Sequence, residues 1–252
     1  MSRPVRGFAA AIASVTVLTI AGCDALPGRP DVTKREVVPT EVTAFDALYR
    51  RNCAGCHGTD GRLGPARPLN DPVYLSLVPA DRLRTIIREG VSGSSMPAFG
   101  TVAGGELTDA QVEALAQGML TRWARPETVQ GGGLSLPPYS ALPGGSGSAA
   151  QGRGAAVYIR ACARCHGPDG RGGPKGGPIV DPAYLALVSD QSLRSTVIAG
   201  RTDLGQPDWR DDVPGHPLTP EEITDVVTWV AAHRKPVPGR LVLGRESPGR
   251  RP

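Results

Sequence analysis

The sequence predicts an all-α protein of two tandem small domains. Three observations lead there: an internal repeat, apolar residues at helical spacing at both ends of each repeat unit, and a Gly/Pro-rich segment between the units. The repeat is plain in Asp71-Pro72-Val73-Tyr74-Leu75-Ser76-Leu77-Val78 against Asp181-Pro182-Ala183-Tyr184-Leu185-Ala186-Leu187-Val188. Leu83-Arg84 against Leu193-Arg194 and Leu107-Thr108 against Leu218-Thr219 continue it. The offset moves only from 109 to 111 residues across the unit, so one supersecondary unit has been duplicated almost without insertion. The boundaries that follow are 1–22 as a signal peptide, 23–41 as a polar tether, 42–125 as domain 1, 126–150 as a flexible linker, 151–236 as domain 2 and 237–252 as a basic tail.

Each unit reads as three helices around a loop. Residues 43–53 place Phe45, Leu48 and Tyr49 on one helical face, and 153–162 do the same with Val157 and Tyr158. The last helices, Gln111–Trp123 and Ile223–Arg234, carry apolar residues at i, i+3 and i+4. They open at Leu107-Thr108-Asp109 and at Leu218-Thr219-Pro220-Glu221-Glu222, the second of which has a capping Thr, a Pro at the first helical position and an acid at the third. The linker, with Gly131-Gly132-Gly133, Pro137-Pro138 and Gly144-Gly145-Ser146-Gly147, has too little apolar surface for a core.

Composition says what the domains lack. Aromatic residues make up only 4% of the chain, while Gly and Pro number 33 and 25. Cores so short of large side chains are expected to be filled by something else. The formal charge of +4 does not point to nucleic acid. Residues 43–125 carry 9 basic and 8 acidic side chains and residues 151–235 carry 10 of each, so the excess sits mostly in the tail. Nucleic-acid binding calls for a basic stripe on a folded face, and neither unit has one.

The N-terminus has the pattern of an export signal: Arg3 and Arg6, an apolar run from Phe8 to Ile20, then Ala21-Gly22-Cys23. The run is short for a bilayer span and ends in small residues. Ile20-Ala21-Gly22-Cys23 resembles a bacterial lipobox, in which Cys23 is lipidated and anchors the mature chain on an extracytoplasmic membrane face. The alternative is an ordinary cleavage site with an incidental cysteine. Lipidation also explains five cysteines, an odd number for an exported protein, since it leaves two pairs.

Those pairs are Cys53-Ala54-Gly55-Cys56-His57 and Cys162-Ala163-Arg164-Cys165-His166. Disulfides suit an oxidising compartment, and paired C-x-x-C motifs can hold zinc. Zinc pairs normally lie within a few tens of residues, whereas these are 109 apart. Neither reading explains why a His follows the second Cys both times. Covalent c-type haem attachment does: two thiols bond to the porphyrin vinyl groups, and the adjacent His lies beneath the iron as proximal ligand. Two haem c groups are expected, on Cys53, Cys56 and His57 and on Cys162, Cys165 and His166.

With these motifs in place, 43–125 and 151–235 resemble the class I cytochrome c family, small all-α domains whose first and last helices cross over a covalently bound haem. The resemblance implies a Gly eight residues before the first haem Cys and an aromatic four before it, packed against an aromatic on the last helix. Domain 2 matches with Gly154, Tyr158 and Trp229. Domain 1 has Phe45 and Tyr49, and Gly118 stands where Trp229 does, so bulk has changed sides of the crossing. The resemblance also implies a Pro carbonyl supporting the proximal His, assigned to Pro68 and Pro178; the alternative is that both are plain loop prolines.

The sixth iron ligand separates the units. Domain 1 has Ser94-Ser95-Met96-Pro97-Ala98-Phe99, which resembles a distal Met-Pro loop, and Met96 is the expected axial ligand; Met119 has the spacing of a buried helical residue. Domain 2 contains no Met, and Gln206-Pro207 aligns with Met96-Pro97. Gln206 or an open site, His216, and His233 are the choices there. The expected function is single-electron transfer with membrane redox complexes or other cytochromes. The alternative is a haem enzyme or gas sensor, for example reducing peroxide at haem 2 with Gln206, Asp203, Asp208 or His216 on its distal side.

Overall fold

A computed structural model describes residues 37–130, 134–141 and 147–235. The signal peptide, Cys23, most of the tether and the basic tail lie outside the described residues. The chain divides into two compact units, Met1–Glu41 and Val42–Pro252. In the first, the described residues include a short 3-10 turn, Pro39–Glu41. The second holds both repeats.

Among the described residues the structure is helical, with only isolated bridges at Gly100/Leu107 and Arg201/Gln206 in place of strands. Domain 1 contains α1 (Phe45–Asn52), α2 (Ala54–His57), α3 (Pro72–Leu77), α4 (Ala80–Glu89) and α5 (Asp109–Trp123). After α6 (Glu127–Gln130), domain 2 repeats the order with α7 (Gly147–Ala161), α8 (Ala163–His166), α9 (Pro182–Leu187), α10 (Asp190–Ala199) and α11 (Pro220–Ala231). Each unit therefore has two more short helices than the three-helix reading allowed. The signal for α3 and α9 is local: Asp71 and Asp181 cap backbone N–H groups with their carboxylates, and a Pro fills the first helical position.

The last helices begin in full capping boxes, Thr108 with Gln111 and Thr219 with Glu222. Each box satisfies two otherwise orphaned N–H groups. Thr219→Ala is expected to cost about 1 kcal/mol, read as a lowered denaturant midpoint with an unchanged slope.

The crossing of first and last helices bears out the exchange of bulk. In domain 1 a Cβ on Gly118 would stand 2.0 Å from Phe45 Cδ2. Trp123 then meets Phe45 and Tyr49 edge-on at 5.4 and 5.2 Å between ring centres. In domain 2 a Cβ on Gly154 would stand 2.1 Å from the Asp225 carbonyl oxygen, and Tyr158 stacks on Trp229 at 4.3 Å. Met119 is buried in the core, as its helical spacing suggested.

The two domains pack on each other, with α10 against α3, and one apolar cluster runs from Phe45 and Leu115 through to Tyr158 and Val226. The segment expected to be a flexible linker is tied down over its described part. Arg194, 1% exposed, donates to the carbonyls of Pro138 and Tyr139 at 2.9 and 3.2 Å and to Thr224 Oγ1 at 3.1 Å. Gln191 donates to Tyr139 as well. A buried guanidinium must be met by acceptors, and the main chain of a Pro-rich strap supplies them where sequence composition alone suggested a free tether.

Candidate haem-attachment sites

Each C-x-x-C-H motif folds as a single helical turn at the end of the domain's first helix. Cys53 closes α1 by donating its N–H to Tyr49 O, and His57 N–H donates to Cys53 O at 3.0 Å; Cys162, Tyr158 and His166 repeat these bonds. The chain then reverses at Gly58 (φ +86°) and Gly167 (φ +79°), a left-handed conformation suited to Gly. The Tyr49 and Tyr158 hydroxyls donate to the carbonyls of Gly58 and Gly167, so each buried aromatic of the first helix also holds the turn after the motif. The return loop passes so close that a Cβ on Gly64 would reach 2.3 Å from Cys56 O, and one on Gly176 2.6 Å from His166 Nδ1.

His57 is buried, and that burial lowers the pKa of its imidazole. Its Nδ1 lies 2.7 Å from the Arg67 carbonyl, and His166 Nδ1 lies 2.7 Å from the Gly177 carbonyl. A carbonyl only accepts, so the proton sits on Nδ1 and the lone pair on Nε2 is left for a metal. The supporting carbonyls therefore belong to the residues before Pro68 and Pro178, not to the prolines. The physical reason is that a proline restricts its predecessor to extended backbone and so aims that residue's carbonyl, a constraint the resemblance had placed one position late.

No disulfide joins the four motif cysteines. No group of three or more His, Cys, Asp or Glu able to hold a metal occurs among the described residues, so the pairs do not converge as a zinc site would. Burial pushes the Cys53 and Cys162 thiols up to about 12. Two thiols and one imidazole with a free Nε2, repeated in the same geometry, are the donor set that a covalently held haem needs.

The distal loops share one backbone pattern. Val91 N–H donates to Met96 O at 3.0 Å, and Arg201 N–H donates to Gln206 O at 3.2 Å. A Cβ on Gly90 would strike Met96 O and Pro97, and one on Gly200 would strike Gln206 O and Pro207. Gln206 thus occupies the place of Met96, as the alignment of the repeats had it. Of the other distal candidates, His216 Nε2 faces the Glu222 carboxylate at 3.1 Å, and His233 donates from Nδ1 to Trp229 O at 2.9 Å while packing against the Trp229 ring. Asp203 is paired with Arg201, and Asp208 with Arg210.

The model of the family described as cytochrome c oxidase, cbb3-type, subunit III matches residues 40–117 and again 149–230, one match per domain. The chain belongs to the cbb3-type subunit III family. It is a di-haem c-type cytochrome, with one haem c in each of two all-α domains. Among proteins of this kind it is 30% identical over 135 residues to the cbb3-type cytochrome c oxidase subunit CcoP of Rubrivivax gelatinosus. That match takes in 53% of this chain and only 36% of the relative's length. Similar solved structures include the reducing HAO-like protein complex of Kuenenia stuttgartiensis (17% identity, TM-score 0.47, 79% of this chain and 98% of that one). Another is the as-isolated thiosulfate dehydrogenase TsdBA of Marichromatium purpuratum (21% identity, TM-score 0.33, 97% of this chain and 56% of that one).

Proposed function

We propose that this di-haem cytochrome relays single electrons between redox complexes at the extracytoplasmic face of a membrane, anchored by a lipid on Cys23. Cys53, Cys56 and His57 hold haem 1, Cys162, Cys165 and His166 hold haem 2, and the two irons differ in their sixth ligand. Each haem iron supplies a one-electron couple. The chain's own contribution is to hold the proximal rings through Arg67 O and Gly177 O and to set the distal environment.

The observation that carries the reading is the pairing of matched proximal sites with distal turns alike in backbone but unlike in side chain, Met96 against Gln206. Met96 completes haem 1, and haem 2 has Gln206, His216 or an open position. A thioether raises the reduction potential relative to an imidazole or a hard oxygen donor, so haem 1 is the high-potential site. The relative's identity as an oxidase subunit favours a membrane oxidase or another cytochrome as partner. No helix among the described residues is long and apolar enough to cross a membrane, and the lipid supplies the attachment in this reading. Against catalysis at haem 2, the distal carboxylates Asp203 and Asp208 are each paired with an arginine.

Absorption spectroscopy tests this. The near-infrared band of Met-to-iron ligation is expected to integrate to one haem of two, and Met96→Ala is expected to abolish it and lower one of two midpoint potentials with both haems still attached. No such band would remove Met96 from its role: the absence of the band would do so, and a band worth two haems would overturn the contrast between the two distal positions. A high-spin haem 2 that turns over peroxide would replace the carrier reading with the enzyme.

A further inference from the structure

Domain 2 meets domain 1 on the loop that orients His57. Arg67 uses its carbonyl to accept from His57 Nδ1, and its guanidinium runs the other way, 4.6 Å above the Tyr74 ring. There it donates to the Ser192 carbonyl at 2.8 Å and to Thr196 Oγ1 at 2.9 Å, both on α10 of domain 2. Earlier in the same loop, Leu63 N–H donates to Asp203 Oδ2 at 2.9 Å, and the Gly64 carbonyl accepts from Arg201 at 3.1 Å. Arg201 and Asp203 are joined by two hydrogen bonds at 2.9 and 3.0 Å, with their side chains 17% and 1% exposed. Arg201 also exchanges both backbone hydrogen bonds with Gln206, at 3.2 and 3.0 Å. The ion pair therefore grips the proximal loop of haem 1, while the backbone of the same Arg201 closes the distal turn of haem 2.

We propose that Arg67 and the Arg201–Asp203 pair are positioning residues of an interdomain clasp, through which the ligand geometry of each haem depends on the docking of the other domain. Charge-assisted hydrogen bonds are stronger and more directional than neutral ones, and those of Arg67 and Arg201 are partly buried. The backbone supports the assignment. Leu63 is the one non-Gly residue with positive φ among the described residues, at +61°, and it lies 70% exposed. Such a conformation is unfavourable for a bulky residue and persists where its surroundings impose it. Here the imposing group is a carboxylate of the other domain. The clasp makes the two haem domains one redox unit, in place of two independent beads on a tether.

The test uses the full-length protein with both haems attached, and its first pair of variants changes domain 2 without altering charge. Thr196→Val removes the hydroxyl that Arg67 reaches, and Thr196→Ser keeps it. Thr196→Val is expected to shift the midpoint potential of haem 1 and the paramagnetically shifted proton resonances of His57, although Thr196 lies in the other domain; Thr196→Ser is expected to leave both at the parent values. In a second variant, Asp203→Ala, the Leu63 amide is expected to exchange with deuterium at least tenfold faster, with a changed spectrum of haem 2. Parent-like haem 1 signals in Thr196→Val, equal effects of Val and Ser, or an unchanged haem 2 spectrum in Asp203→Ala would each overturn the clasp.

Discussion

Gly154→Ala is expected to destabilise domain 2 by about 2–3 kcal/mol, even though Ala is the better helix former by about 1 kcal/mol. The added methyl would stand 2.1 Å from the carbonyl oxygen of Asp225 and 2.8 Å from Trp229 Cβ. The oxygen belongs to the backbone of α11 and has no torsion by which to move aside. The helices must separate, which pulls Tyr158 from Trp229 and strains the Arg153–Asp225 ion pair. Gly118→Ala in domain 1 is the control. Its methyl also falls 2.0 Å from a neighbour, but that neighbour is the Phe45 ring, which can tilt. A smaller loss, about 1 kcal/mol, is expected there. Thermal unfolding by calorimetry checks the pair, with about 2–4 °C per kcal/mol expected for a chain of this size. Equal losses in the two variants would show that the crossings do not differ in the way the exchange of bulk implies.

Asp212→Asn is expected to stabilise the protein strongly at pH 8 and hardly at all at pH 4. Asp212 is 6% exposed, and burial, reinforced by Asp208 and Asp211 against the opposing pull of Arg164, raises its carboxyl from 3.8 to about 7. The sign follows from proton counts. Between pH 4 and 7 the folded chain holds a proton that the unfolded chain has released, so stability falls as pH rises through that window. Above pH 7 the carboxylate is charged and buried, at a cost on the order of 4 kcal/mol relative to acid. Asn has no proton to lose and escapes the cost. Denaturant midpoints of both proteins at pH 4 and pH 8 measure it; the same difference at both values would sink the idea. Asp212 also lies close enough to Cys162 for its charge to be felt there. A negative charge appearing beside that attachment favours the oxidised iron, so the haem 2 midpoint is expected to fall as pH rises through 7.

Much of the site was legible because its signals are local. A C-x-x-C-H turn carries its attachment chemistry within five residues, and the repeat doubled the evidence. The capping Thr219 could be read from spacing along a single helix, and the exchange of bulk between Gly154 and Gly118 from the resemblance and the alignment of the repeats. The support of the proximal rings was placed one residue late, on Pro68 and Pro178, because the resemblance names the proline while the backbone aims the carbonyl before it. The contacts of Arg67, Arg201 and Asp203 across the domain seam left no signal, as their partners there lie 125 to 140 residues away.

By itself the sequence determined the two haem motifs, the duplicated helical domains and the contrast of Met96 with Gln206, all of which depend on residue identity and short-range spacing. The tertiary structure alone decided that the domains share one core, that Arg194 straps the linker down and that a proximal loop and a distal loop are joined. Those features depend on which polar groups lose water together when distant segments meet. Hydrogen-bond satisfaction at such a seam is a property of the packed chain, and no window of sequence contains it.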